Sequence, residues 1–135
     1  MALQYSVAVR NARLDAIEST TGTSAILKIR SGAAPATCAT ADSGTVLATV
    51  NLPSDWMSAA SAGVKSMLGT WSDSSADATG TAAHFRIYDS AGTTCHMQGT
   101  VTVTGGGGDM QVDSVSFTAG QQFDVTSFSI TAGQA

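Results

Sequence analysis

Residues 82–104 read AAHFRIYDSAGTTCHMQGTVTVT, with apolar and polar side chains alternating on both sides of a short turn, the pattern of an antiparallel β-hairpin. Phe85 and Ile87 point one way, and His84, Arg86 and Tyr88 the other. Past the turn, Cys95, Met97, Val101 and Val103 alternate with His96, Gln98, Thr100 and Thr102. Setting inward residues opposite one another places Ile87 against Cys95 and Phe85 against Met97. Ser90, Ala91 and Gly92 then form a three-residue loop, whose last position wants the left-handed backbone that glycine adopts freely. In this register His96 lies opposite Arg86 and diagonal to His84 on a polar face, while Cys95 turns inward.

The same period extends to either side. Ala25, Leu27 and Ile29 alternate with Lys28 and Arg30. Val46, Ala48, Val50 and Leu52 alternate with Thr45, Leu47, Thr49 and Asn51, so both segments read as half-buried strands. Between them residues 31–44, SGAAPATCATADSG, form a loop of small residues. Residues 105–108 are four glycines and read as a flexible connection. Met110, Val112, Val115 and Phe117, then the stretch from Phe123 to Ile130, read as further strands. In the last of these the apolar phase slips from Phe123 and Val125 to Phe128 and Ile130. A bulge near Ser127, or a strand passing from one sheet to another, accounts for that. Residues 54–81 hold no sustained period. A short helix over 54–68 with Trp56, Ala60, Val64 and Leu68 on its apolar edge is the minor reading there, because Gly63 falls inside it.

The first twenty residues read as a helix with Leu3, Val7, Arg10, Leu14 and Ile17 on one stripe, stopped by Gly22. Asp15 and Glu18 near its end oppose the macrodipole, so tertiary packing must hold it. These elements predict a mainly β protein, an antiparallel β-sandwich or barrel of jelly-roll-like kind with one N-terminal α-helix. Residues 1–22 are its helical segment and residues 23–135 a single antiparallel β domain.

A chain of 135 residues supports one core and buries roughly two thirds of its unfolded surface. Only 12% of residues are charged, and the net charge is −4. The six basic residues are scattered, which argues against a nucleic-acid partner. Arg10, Arg13, Asp15 and Glu18 interrupt any signal-peptide core in the first twenty residues, and no apolar run is long enough for a membrane span. The expectation is a chain that stays soluble in the cytoplasm where it is made. Its two cysteines, Cys38 and Cys95, are then reduced, and a disulfide between them is the minor reading.

Catalytic and metal chemistry find little support. His84 and His96 lack a third ligand. Cys95 and His96 are neighbours on a strand and point to opposite faces, so they cannot share a proton. The glycine run is followed by no Lys-Ser or Lys-Thr, and Asp109 would repel phosphate. Asp73 and Asp77 lack the alternating oxygen ligands of a calcium loop. No catalytic residue, cofactor or metal is expected. Trp56, Trp71 and Tyr88 fill a barrel end or anchor a partner interface, where such residues are enriched.

Four stretches, LKIRSGAAP, GTVLATVNLPSDW, GTAAHFRIYDSAGTTCHMQGTV and GGDMQVDSVSFTAGQQFDVTSFSITAG, resemble a family of small proteins encoded in tailed bacteriophages and prophages. The resemblance covers nearly the whole chain. It implies a virion structural protein, a capsid decoration protein or another head or tail accessory, located in the particle, and it implies no catalytic residues. Its partners would be the major capsid protein or other virion proteins, with the chain itself a dimer or trimer. The segment 2–17 and the loop 54–81 are the expected contacts, with Leu3, Val7, Arg10, Leu14, Trp56 and Trp71 as interface residues. The rival expectation is a surface or tail module that recognises host glycans by stacking on Trp56, Trp71 or Tyr88.

Overall fold

The structure, a computed structural model describing all of residues 1–135, is mainly β with one helix, and its main sheet curls into a half-barrel. Helix α1 (Val7–Thr21) is followed by β1 (Ile26–Ser31), β2 (Val46–Asn51), β3 (Val64–Ser66), β4 (Trp71–Asp73) and β5 (Gly80–Tyr88). Then come β6 (Cys95–Val103), β7 (Met110–Val112), β8 (Ser116–Phe117), β9 (Phe123–Val125) and β10 (Ser129–Thr131). The main sheet has the order β2-β1-β5-β6-β7, with β8 on β5; β3 pairs with β10 and β4 with β9 in two small sheets. The helix starts later than its apolar stripe suggests. The Ser6 hydroxyl caps it by accepting the Val9 N–H, which leaves Leu3 outside, and Gly22 ends it.

β5 and β6 form the hairpin, two residues out from the expected register. Ile87 faces Met97, Phe85 faces Gly99 and Arg86 faces Gln98. The loop is also one residue longer: the Asp89 N–H donates to the Thr94 carbonyl, and the Asp89 carboxylate accepts the N–H groups of Thr93 and Thr94. Alternation fixes which face a residue takes, while turn chemistry sets the register, and here the Asp89 side chain sets it. Met97 therefore keeps the face of Ile87. Cys95 does not, because a bulge at His96 pairs it with Tyr88 and turns it to the face of Arg86. Gly92 does take the left-handed conformation, with φ of 72°. Gly92→Val should cost about 1–2 kcal/mol in urea unfolding; an unshifted midpoint would show that the turn tolerates a branched side chain.

β5 is central, and both of its faces are buried. Phe85 and Ile87 join Leu27, Ile29, Trp56, Trp71 and Phe128 in the hydrophobic core. The opposite face carries Arg30, His84, Arg86 and Tyr88, all buried as well. Leu47, expected on the outer face of β2, is buried because a bulge opposite Arg30 turns it inward beside Ala48.

No helix forms over 54–68. Ser61 and Val64 exchange both backbone hydrogen bonds around Ala62 and Gly63, whose φ values of 52° and 75° make the tight turn that leads into β3. The phase slip near the C-terminus is a passage between sheets: β9 pairs with β4, β10 with β3, and Phe123, Val125 and Phe128 all reach the core.

The sheet is not antiparallel throughout. β6 and β7 run parallel, Val101 beside Met110 and Val103 beside Val112. Parallel neighbours usually need a crossover of a dozen residues or more. Residues 104–109 manage the return because the glycines fold back onto β6. The Gly108 N–H donates to the Thr102 hydroxyl, and the Asp109 carboxylate accepts the Thr100 N–H. A Cβ on Gly106 or Gly108 would lie 2.8 Å from the Thr102 side chain. The four glycines are thus a tight fold-back, where a flexible connection was expected.

Candidate functional site

Residues 31–44 lie across the second face of the sheet, held there by Arg86. Its Nη2 donates to the carbonyls of Thr37, Cys38 and Thr40 at 3.0–3.1 Å, its Nε to Gln98 at 3.1 Å, and its Nη1 to Asp42. Asp42 also receives Arg30 at 3.0 Å and the Tyr88 hydroxyl at 2.6 Å. Burial pushes the Asp42 carboxyl up, but Tyr88 and the two arginines outweigh it and hold the group below its ordinary value. Gln98 donates to the Pro35 carbonyl, and His84 Nδ1 sits 2.7 Å from the Gly32 carbonyl. A carbonyl only accepts, so the His84 proton is on Nδ1, and its buried Nε2 has no partner. All three nitrogens of the Arg86 guanidinium are engaged by the protein itself. This layer is structural glue and presents no open catalytic group.

The two histidines do not meet. His84 pairs with Thr100 and is sealed, whereas His96 stands exposed in the bulge, opposite neither Arg86 nor His84. No three His, Cys, Asp or Glu side chains gather to hold a metal.

A second polar cluster attaches the helix. Asn11, Asp15 and Glu18 lie at spacings of four and three on one face of α1, and each accepts a backbone N–H from the strip that follows Trp56. Asn11 takes Gly63 at 2.9 Å, Asp15 takes Ala60 at 2.9 Å and Glu18 takes Met57 at 2.8 Å. Lys65, 1% exposed, donates from below to Asp15, Glu18 and the Ser58 carbonyl. Burial lowers the Lys65 ammonium, and the two carboxylates reverse this and leave it above its ordinary value. The largest cavity, about 510 Å³, opens beside this cluster, between Glu18, Lys65 and Asp55. The lysine on its wall is already engaged.

No family model, curated protein or solved structure matches this chain. Its own geometry is therefore what sorts the expected interface residues. Trp56 and Trp71 are 0% and 1% exposed and pack on each other with ring centroids 6.1 Å apart. Neither offers a surface to a partner: both indoles turn into the core, while backbone groups of residues 57–63 hold the helix. Tyr88 is buried too, so none of the three aromatic rings is a platform on which a sugar can stack. Leu14 is buried under the helix, and the Arg10 guanidinium packs against Gly63, where a Cβ would meet it. Leu3 and Val7 remain free, 64% and 49% exposed. With Met1 and Val9 they account for four of the seven large apolar side chains that stay exposed.

Sequence reasoning missed Asp42, Asn11 and Lys65 as organisers. The signal for the first was present: Arg30 and Arg86 share a face on strands that are adjacent in the sheet, and Asp42 is the only acid in the loop between β1 and β2. For the helix there was no such signal, because its partners are backbone groups. No helix is long and apolar enough to cross a membrane.

Proposed function

We propose that this chain is a non-catalytic structural protein of a tailed-phage particle, a decoration protein that docks on the assembled capsid through its N-terminal segment. The observation that carries the docking is the exposure of four large apolar side chains in succession, Met1 and Leu3 ahead of the helix and Val7 and Val9 in its first turn, while the helix itself is fastened by polar contacts. The particle assignment rests on the resemblance of the four sequence stretches. A protein of this kind is soluble as made and buries a modest patch later, which suits a chain with only 12% charged residues and exposed apolar side chains in its N-terminal segment. Binding only to the assembled shell of the major capsid protein stabilises that shell by mass action. A dimer or trimer would multiply weak contacts. In this reading the half-barrel and its two small sheets form an open β-sandwich of jelly-roll-like kind, an architecture frequent in capsid proteins.

Deleting residues 2–17 would remove Asn11 and Asp15 from the fold, so the test uses surface substitutions. Leu3→Ser, Val7→Ser and Val9→Ser combined should leave the melting temperature unchanged, since exposed positions move stability by about 0.5 kcal/mol or less. Cosedimentation with empty capsids should weaken by about tenfold or more. Equal binding by the triple variant, or no capsid binding by the native chain, would overturn the proposal.

A further inference from the structure

Cys38 belongs to the loop over the arginine layer, and Cys95 to the first position of β6. The sequence gives no reason for them to meet, being far apart and without a CxxC spacing. Two features of the fold bring them together. Arg86 fixes the loop by taking the carbonyl of Cys38 itself, at 3.1 Å, along with those of Thr37 and Thr40. The bulge at His96 then moves Cys95 from the face of the Met97 side chain to that of Arg86 and Tyr88, where its thiol donates weakly to the Met97 carbonyl at 3.4 Å. Both thiols line one small cavity of about 250 Å³, with Asp42, Arg86, Tyr88, Thr40 and Thr93 as its other polar walls. Both are half-buried and free. Burial and the adjacent Cys38 thiol push the Cys95 thiol up to about 11, the response of a thiol with another beside it.

We infer that Cys38 and Cys95 are a cross-linking pair, which a small disulfide such as oxidised glutathione converts to an intramolecular disulfide that staples the loop to the hairpin. The chemistry balances by two exchanges. One thiolate attacks a glutathione sulfur, its S–S bond breaks, and one reduced glutathione leaves while a mixed disulfide remains on the protein. The second cysteine, as thiolate, attacks the protein-bound sulfur, forms the Cys38–Cys95 bond and expels the second glutathione. Two protein thiols are oxidised, and one glutathione disulfide is reduced to two thiols, which take up the two protons. The bond closes a loop of roughly 60 residues and ties down the segment that covers Arg86, so the oxidised form is the more stable one. In a reducing cytoplasm the pair stays open, and outside it the staple closes. None of this depends on the proposed role in a particle.

The test incubates the purified full chain with oxidised glutathione, and separately with the smaller disulfide cystamine, against a dithiothreitol control. Titratable thiols should fall from two to none, intact mass should drop by two hydrogens with no adduct, and peptide mapping should join Cys38 to Cys95. The melting temperature should rise by about 5–10 °C and return on reduction. Cys38→Ser and Cys95→Ser should each abolish the rise while leaving the reduced melting temperature near that of the native chain. Lasting mixed adducts, links only between separate chains, unreacted thiols with both disulfides, or a link without a thermal gain would each overturn the inference.

Discussion

Arg86→Leu is expected to remove about 3–5 kcal/mol of folding stability, because several buried acceptors lose a charged donor at about 1–3 kcal/mol each and recover part of that from water. Domains of this size hold roughly 5–15 kcal/mol in all. The leucine fills much of the volume but leaves three carbonyls, of Thr37, Cys38 and Thr40, without their shared donor beneath the loop. Gln98 and Asp42 lose a partner as well. Asp42 keeps Arg30 and Tyr88, and with 40% of its side chain exposed it also keeps water, so it contributes less to the loss than the carbonyls do. Equilibrium unfolding in urea measures the total. Limited proteolysis measures its location: cleavage should appear within residues 31–44 well before the sheet is attacked. A variant that unfolds at the native midpoint and resists cleavage there would mean that the loop does not depend on Arg86.

Trp71→Ala should cost a similar amount, about 3–5 kcal/mol, for a different reason. The indole is 1% exposed and touches Trp56 and Phe128, with centroids 6.1 Å and 5.7 Å away, and its Nε1–H donates to the Leu68 carbonyl at 3.2 Å. Truncation leaves a cavity in the core beside the small β4–β9 sheet. Chemical denaturation reads the loss directly. At a temperature where the variant stays folded, capsid binding should match that of the native chain. Weakened binding with native stability would instead place Trp71 at a partner surface.

Much of the β architecture was legible because alternation reports burial: β1, β2, β5 and β6 lie where Leu27, Val50, Phe85 and Val101 place them. Alternation reports parity only, which is why the hairpin register slipped by two while Met97 kept its face. The pattern also treats a polar face as a wet one. Arg86 and His84 broke that rule, since a loop of small residues can lie flush on a sheet and supply carbonyls to an arginine. The helix was legible as a helix and misread as to its contact face. Periodicity marks apolar stripes, whereas Asn11, Asp15 and Glu18 form a polar one whose partners are amide groups that every residue carries. The glycine fold-back at residues 105–108 was unreadable for a related reason: glycine runs look alike whether they are slack or, as at Thr102, tightly packed.

The way the helix is fastened has an evolutionary corollary. Its three carboxylate and amide side chains grip main-chain N–H groups of Met57, Ala60 and Gly63, and so demand almost nothing of the side chains at Ala59 and Ser61, both of which are exposed. Gly63 is constrained by the Arg10 guanidinium against it and a φ of 75°, and Ala62 by its own left-handed φ of 52°, which disfavours branched side chains. The strip is therefore a permissive face on a backbone mount: substitution at Ala59 or Ser61 can change its outward chemistry while the helix stays in place.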